Sequence, residues 1–367
     1  MNVVSIVGAR PQFIKLAAIH RACIKRKGVQ HTIIHTQQHY DVNMSAIFFE
    51  ELGIPLPDFK LKLTDYSLAS SITRMEAGIG EILETLKPDM VMVYGDTNST
   101  LAGARAAKKL TLPISHIEAG LRSYNNMPEE FNRVETDKIS DLLFCPSTIA
   151  MDNLQAEGYP SNKVIFSGDV MFDAIKYYLP AALVNDHSIP TPGIFALATI
   201  HRESTVQSTQ TLINIIRAFN EIHKKTHILF PVHPRTRRAM EESGEMIQFE
   251  LIEPVGYLDM LSLLSRCALV LTDSGGLQKE AFFCKKICVT LRDTTEWKEL
   301  VEAGVNIMAG TGYQQILNAF ESARDMHPSF DHPSFNFYGS GNSAEIIIDE
   351  IIKYADARGL SSIYTPL

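Results

Sequence analysis

Asp96 and Glu118 each close a run of apolar residues, Met90–Tyr94 and Ile114–Ile117, with a helical stretch between the two runs. Carboxylates placed this way at the ends of successive strands face one cleft. They divide the work of general acid and general base once their surroundings separate their proton affinities. Asp96 equally suits the cap of a helix beginning near Asn98, and Glu118, followed by an Ala-Gly turn, equally suits a rim carboxylate paired with a residue such as Arg122. Met127-Pro128-Glu129-Glu130 opens a further helix, with proline at its first position and acids in its first turn. The helix dipole accounts for one of the two glutamates, at about 0.3–1 kcal/mol, and leaves the other for catalysis. Spacing does not choose between Glu129 and Glu130.

The residues that follow the other strand-like runs are just as polar: Gly8-Ala9-Arg10-Pro11, His201-Arg202, His233-Pro234-Arg235 and Asp273-Ser274-Gly275-Gly276. In open parallel sheets ligands bind beyond the carboxyl ends of the strands, so these are the candidate site. The first turn reads GARPQFIK rather than GxGxxG, so no dinucleotide site is visible, and no cofactor or metal is expected. Instead Arg10 and the turn's backbone N–H groups could converge on a phosphate or carboxylate, and Lys15 either reaches the same cleft or is a surface lysine. Ser274, Gly275 and Gly276 enter a helix through two glycines whose free N–H groups make an anion cradle; a plain serine cap is the alternative. Glu280, one turn on, suits ribose hydroxyls. His201 and His233 could each give a proton donor to a diphosphate, with Arg235 beside them, unless His233 is merely structural between Val232 and Pro234.

The elements that must hold these residues are short aliphatic runs, each closed by a turn and followed by helical periodicity, which is the pattern of parallel βαβ units. Strands are expected at Val3–Val7, His31–Thr36, Met90–Tyr94, Ile114–Ile117, Leu142–Cys145 and Val164–Phe166. A second set falls at Ile194–Thr199, Ile228–Val232, Glu250–Ile252, Leu269–Leu271 and Cys288–Leu291. The fold class is therefore α/β, with two open-sheet domains facing a cleft. Asn185–Gly193, polar with two prolines, reads as a surface connection, and the domain boundary lies at or before it. Asn342–Ala357 returns to helical spacing, and the tail beyond Gly359 is expected to fray.

Composition agrees with this. At 367 residues the chain is long enough for two cores, and 21% charged with 45% hydrophobic residues is globular. Lys plus Arg at 34 against Asp plus Glu at 42 gives a net charge of −8, so no cationic field draws the chain to nucleic acid or an anionic membrane. No apolar run approaches the roughly 18–20 residues of a membrane span, and the amino terminus lacks a signal-peptide pattern, so a cytoplasmic location is expected. Five cysteines without a CxxC pair signal neither a disulfide framework nor a zinc site.

Taken in order, GARPQFIK, YGDTNST, HIEAGLRS, MPEEFNR, TIHRES, VHPRT and LTDSGGLQKEA closely resemble the motifs of the bacterial UDP-N-acetylglucosamine 2-epimerase family over nearly the whole chain. The resemblance implies two Rossmann-like domains of the glycosyltransferase-B type, usually as a homodimer. The first would span residues 1–168 and the second, UDP-binding, 169–343, with a C-terminal helix of about 344–358 packing back on the first. It implies inversion at C2 of an acetamido sugar without a redox cofactor, by loss and re-addition of UDP, in the synthesis of surface polysaccharide precursors. Asp96, Glu118 and Glu129 match the family's catalytic carboxylates and His201 its essential histidine. Arg10, Lys15, Ser274, Gly275, Gly276 and Glu280 match substrate-binding positions.

Trp297, in Thr294-Thr295-Glu296-Trp297, stands where better-known members have a substrate-contacting arginine, and GARPQFIK replaces GTRPEAIK. These variants resemble the subgroup acting on UDP-2,3-diacetamido-2,3-dideoxyglucuronate. A QHxQ-like allosteric segment of some members reads Gln38-His39-Tyr40-Asp41 here. The competing readings are a hydrolysing epimerase that releases UDP and N-acetylmannosamine, a glycosyltransferase of the same architecture, and a non-catalytic sugar-nucleotide sensor. A sensor would have no need of all three acids.

Overall fold

Thirteen parallel strands build the chain in a computed structural model that describes all residues except 39–47, 62–67, 125–126, 185–188, 331, 333–334 and 360–367. His39–Asp41, part of the connection at Asn185–Gly193 and the tail beyond Gly359 thus lie outside the described residues. The strands are β1 (Asn2–Val7), β2 (Gln30–His35), β3 (Phe59–Lys60), β4 (Met90–Tyr94), β5 (Ile114–Ile117), β6 (Leu142–Cys145), β7 (Val164–Phe166), β8 (Phe195–Thr199), β9 (His227–Pro231), β10 (Glu250–Ile252), β11 (Leu269–Thr272), β12 (Ile287–Thr290) and β13 (Asn306–Met308). The first seven form one sheet in the order β3-β2-β1-β4-β5-β6-β7, and the rest form a second in the order β10-β9-β8-β11-β12-β13. Both orders reverse direction once, between β1 and β4 and between β8 and β11, and such a switch point is where a Rossmann-type sheet opens a ligand crevice.

Two compact units follow from this. One comprises Met1–Lys176 with Asn336–Leu367, the other Tyr177–Phe335. In the first, β4 is buried along its whole length, and Val4, Ile6, Val91 and Val93 pack against Met75, Ile79 and Leu83 of helix Leu68–Leu86. In the second, Phe219 of helix Thr209–His223 meets Phe230 and Phe249, with Ile316 and Phe320 of helix Tyr313–Arg324 in the same core. Sheets buried on both faces need the continuous apolar strands that the sequence displays.

The returning helix Ser343–Ala357 lies on helix Arg10–Ile24 in the first unit. Its first N–H groups, at Ser343 and Ala344, donate to the Asp173 carboxylate at 3.0 and 2.7 Å, and Arg26 binds Asp349 through two bonds. The carboxylate replaces a local cap. Gly168, at φ +77°, faces the Tyr338 carbonyl, 2.6 Å from where a Cβ would stand, so the returning chain passes directly over the residue where the family boundary was expected.

Beneath the first sheet His20 Nδ1 lies 3.0 Å from His31 Nδ1, and His31 Nε2 reaches Ser5 Oγ at 2.7 Å. Burial, and then the neighbouring His20, pushes the His31 imidazole down to about 3. Between that value and the ordinary value near 6.5 the unfolded chain binds a proton that the folded chain refuses. This histidine's contribution is therefore complete above about pH 6.5 and is lost as the pH falls towards 3. Calorimetric unfolding is expected to show His31→Gln losing stability less steeply than the wild type below pH 6.5, by up to about 1.4 kcal/mol per pH unit.

Candidate active site

The candidate residues of the first unit lie where β1, β4 and β5 end. Pro11 and the Ala9 cap start helix Arg10–Ile24 directly after β1, with Arg10 half-buried and its guanidinium 5.5 Å from the Phe48 ring centre. The N–H groups of Gly8 and Ala9 are not open to a ligand. Both donate to Gln12 Oε1, at 2.7 and 3.1 Å, while Gln12 Nε2 donates to the Tyr94 carbonyl and to the hydroxyls of Thr97 and Thr100. Gln12 thus stitches the β1 turn to the β4 turn. This corrects the expectation that these N–H groups serve an anion.

Lys15 is buried and pairs with Glu118. It is not a surface lysine, and Arg122, the partner considered for Glu118, goes instead to Asp137 and Glu157. Gly95, at φ +62°, favours glycine by its backbone, and a Cβ there would stand 3.0 Å from Glu118 Oε2 and 3.2 Å from Lys15 Nζ, so the pair would have to give by a few tenths of an ångström. Glu118 itself has φ +72°. A left-handed conformation in a non-glycine residue costs roughly 1–3 kcal/mol and persists where the surroundings impose it, which is common at functional sites.

Asp96 does not cap the next helix; Thr97 does, accepting from the Thr100 N–H. The Asp96 carboxylate instead pairs with Arg133 of helix Pro128–Ile139, and its carbonyl accepts from Asn132. Asp96 and Glu118 therefore each carry a buried cation as partner. The two glutamates differ in their surroundings. Glu130 accepts from the Ser123 N–H and hydroxyl, the Tyr124 N–H and Arg133, whereas Glu129 is exposed. Glu130→Ala is expected to cost about 1–3 kcal/mol, because these donors lose their acceptor, and Glu129→Ala to leave thermal unfolding unchanged; calorimetry on the two variants checks this.

In the second unit β8 and β11 end side by side, with the Thr199 and Thr272 hydroxyls 2.6 Å apart. Asp273, fully buried, accepts from the backbone N–H groups of His201 and Arg202, and the His201 ring stands 3.4 Å from it with its side chain largely exposed. Ser274 caps helix Gly275–Phe283, so the serine alternative describes its hydroxyl, but the glycines carry a separate signal. A Cβ on Gly275 would collide with the Glu296 carboxylate, whereas one on Gly276 would meet nothing within 4 Å. Free space above an exposed helix N-terminus is where an anion gains most from the N–H groups. Glu280 is half-buried on the same helix.

Arg292 and Glu296 form a buried pair at 3.2 Å beside this turn, and Arg292 Nη1 makes no hydrogen bond among the described residues. Burial, despite Glu296, holds the Arg292 guanidinium below its ordinary value. Trp297 points inward, donating from its indole to the Gly275 carbonyl at 2.9 Å. His233 caps helix Pro234–Glu242, and Arg235 pairs with Glu203 on the surface.

The sequence profile described as UDP-N-acetylglucosamine 2-epimerase matches residues 21–352. The chain belongs to this family. It is 45% identical, over 96% of its length and the whole of the relative, to the UDP-2,3-diacetamido-2,3-dideoxy-D-glucuronate 2-epimerase of Pseudomonas aeruginosa. Among solved structures, the Methanocaldococcus jannaschii UDP-GlcNAc 2-epimerase in complex with UDP-GlcNAc and UDP is 40% identical, with a TM-score of 0.89 over 96% of this chain and 100% of that one. The Neisseria meningitidis UDP-GlcNAc 2-epimerase bound to UDP-GlcNAc is 31% identical, with a TM-score of 0.86 over the same shares. The likeness carries the glycosyltransferase-B type of fold expected from the sequence. Sequence reasoning named Asp273 among the polar turn residues without giving it a role of its own, and it passed over Gln12 and Arg292. Arg292 lies in a polar turn just after β12, the signal that could have found it.

Proposed function

We propose that this protein inverts C2 of a UDP-linked 2-acetamido sugar, without a redox cofactor, by expelling UDP and adding it back. The observation that carries this is the pair of acid-bearing turns at the switch point of the first sheet, Asp96 held by Arg133 and Glu118 by Lys15. The C2–H bond is not adjacent to a carbonyl, so its proton becomes removable only as the C1–O bond breaks and positive charge builds at C1. A carboxylate takes the C2 proton, the C–H electron pair becomes the C1–C2 double bond, and UDP departs with the electrons of the C1–O bond. A proton then returns to the opposite face of C2 while a UDP oxygen attacks C1.

In this reading Asp96, Glu118 and Glu129 exchange the protons, with Asp96 paired to Arg133 and Glu118 to Lys15. His201 acts with these acids, and the other groups hold the nucleotide: Ser274, Gly275 and Gly276 the diphosphate, Glu280 the ribose, and Arg10, Lys15, His233 and Arg235 the remaining charge. The relationship to the Pseudomonas aeruginosa enzyme and the inward Trp297 support a 2,3-diacetamido-uronic acid nucleotide as the preferred sugar, and UDP-N-acetylglucosamine as the parent form. The product then serves surface polysaccharide synthesis, and the enzyme works in the cytoplasm as a homodimer.

A UDP-sugar labelled with heavy oxygen in the bridge between C1 and phosphorus tests the cleavage. The label is expected to spread into the non-bridging oxygens of the β-phosphate during turnover. Epimerisation with the label confined to the bridge would contradict it.

A further inference from the structure

His116, in β5, is completely buried, and both of its ring nitrogens face acceptors. Nε2 is 2.7 Å from the Gly95 carbonyl oxygen, and Nδ1 is 2.6 Å from Asp137 Oδ1. A carbonyl has no hydrogen to give, so Nε2 must carry one. Asp137 is equally buried, and its other oxygen accepts from Arg122 Nη1 at 2.8 Å and from the Gly120 N–H at 3.3 Å, the environment of an ionised carboxylate. Nδ1 then carries a hydrogen as well, which makes His116 an imidazolium cation. The charges balance, because Arg122 also binds Glu157 through two bonds of 2.7 Å. Two cations, His116 and Arg122, thus face two anions, the buried Asp137 and the exposed Glu157.

This chain is fastened to both acid-bearing turns. Gly95, at φ +62°, immediately precedes Asp96; its N–H donates to the Ile117 carbonyl at 2.9 Å and its own carbonyl accepts from His116. β5 therefore grips that peptide from both sides. Beyond the strained Glu118, the Gly120 N–H is held by Asp137 and the Leu121 carbonyl by Arg122 at 2.7 Å. We propose that His116, held doubly protonated, is a positioning residue that fixes the Asp96 turn relative to the Glu118 turn. Its kinetic consequence rests on the roles proposed above for those two acids, whereas its protonation does not.

Neutron diffraction from deuterium-exchanged wild-type crystals reads the protonation directly. Deuterium on both ring nitrogens is expected, and deuterium on only one overturns the proposal whatever the enzyme acts on. For the positioning role, His116→Gln is expected to lower kcat roughly 100-fold on the UDP-sugar that the wild type epimerises, the scale of a small misplacement of reacting groups. KM and the Kd of UDP should change by less than about threefold. If that variant does not fold, Asp137→Asn, which withdraws the counter-charge from the imidazolium, is expected to show the same split. A lowered Tm with wild-type kcat per folded molecule in a folded variant would mean a purely structural role and overturn the proposal.

Discussion

Glu118→Gln is expected to lower exchange of the C2 proton by about a thousandfold or more, within the 10²–10⁴ range of a general acid or base, while UDP still binds nearly as tightly as to the wild type. The substitution keeps the shape of the side chain above Gly95 and removes only its capacity to hold a proton and to neutralise Lys15. The strained backbone of Glu118 is held by its own N–H and that of Ala119, both donating to the Phe144 carbonyl, and neither bond depends on the carboxylate. Folding should survive. Solvent-deuterium incorporation at C2, measured beside UDP titration calorimetry, separates the two properties. Full exchange in the variant would remove Glu118 from the chemistry.

Gly276→Ala carries the second large effect. A methyl group there meets nothing within 4 Å, and alanine in place of glycine in a helical first turn favours the helix by up to about 1 kcal/mol. Thermal stability is therefore expected to be unchanged or slightly raised. A diphosphate resting on the free N–H groups would nevertheless occupy that space, so UDP affinity should fall at least about tenfold. Gly275→Ala is less informative, because its methyl group strikes Glu296 with or without a ligand. Calorimetric titration of Gly276→Ala with UDP decides the matter, and wild-type affinity would place the diphosphate elsewhere.

Much of this architecture was legible because parallel strands buried on both faces leave continuous aliphatic runs. Eleven of the strands coincide with such runs to within a residue or two at each end. The two that were missed, β3 and β13, are the short edge strands Phe59–Lys60 and Asn306–Met308, too brief to leave a periodic signal. Polar residues after strands also marked turns that do lie at strand ends. The partners of those residues were not legible, because charge pairing depends on which strands become neighbours. Arg122 is close to Glu118 in sequence, yet Lys15 reaches it because β1 adjoins β4 and β4 adjoins β5. For the same reason nothing local marked Gln12 as the residue joining the β1 and β4 turns, or His116 as the one joining the two acids' turns.

Proton and phosphorus NMR in D₂O follows the epimerisation itself, with UDP-N-acetylglucosamine in one sample and the 2,3-diacetamido-uronic acid nucleotide in another. A C2-deuterated epimer with UDP still attached is expected, formed faster from the uronic acid nucleotide. Free UDP accumulating with the liberated 2-epimeric sugar, or no exchange at C2 in either sample, would contradict the proposed reaction.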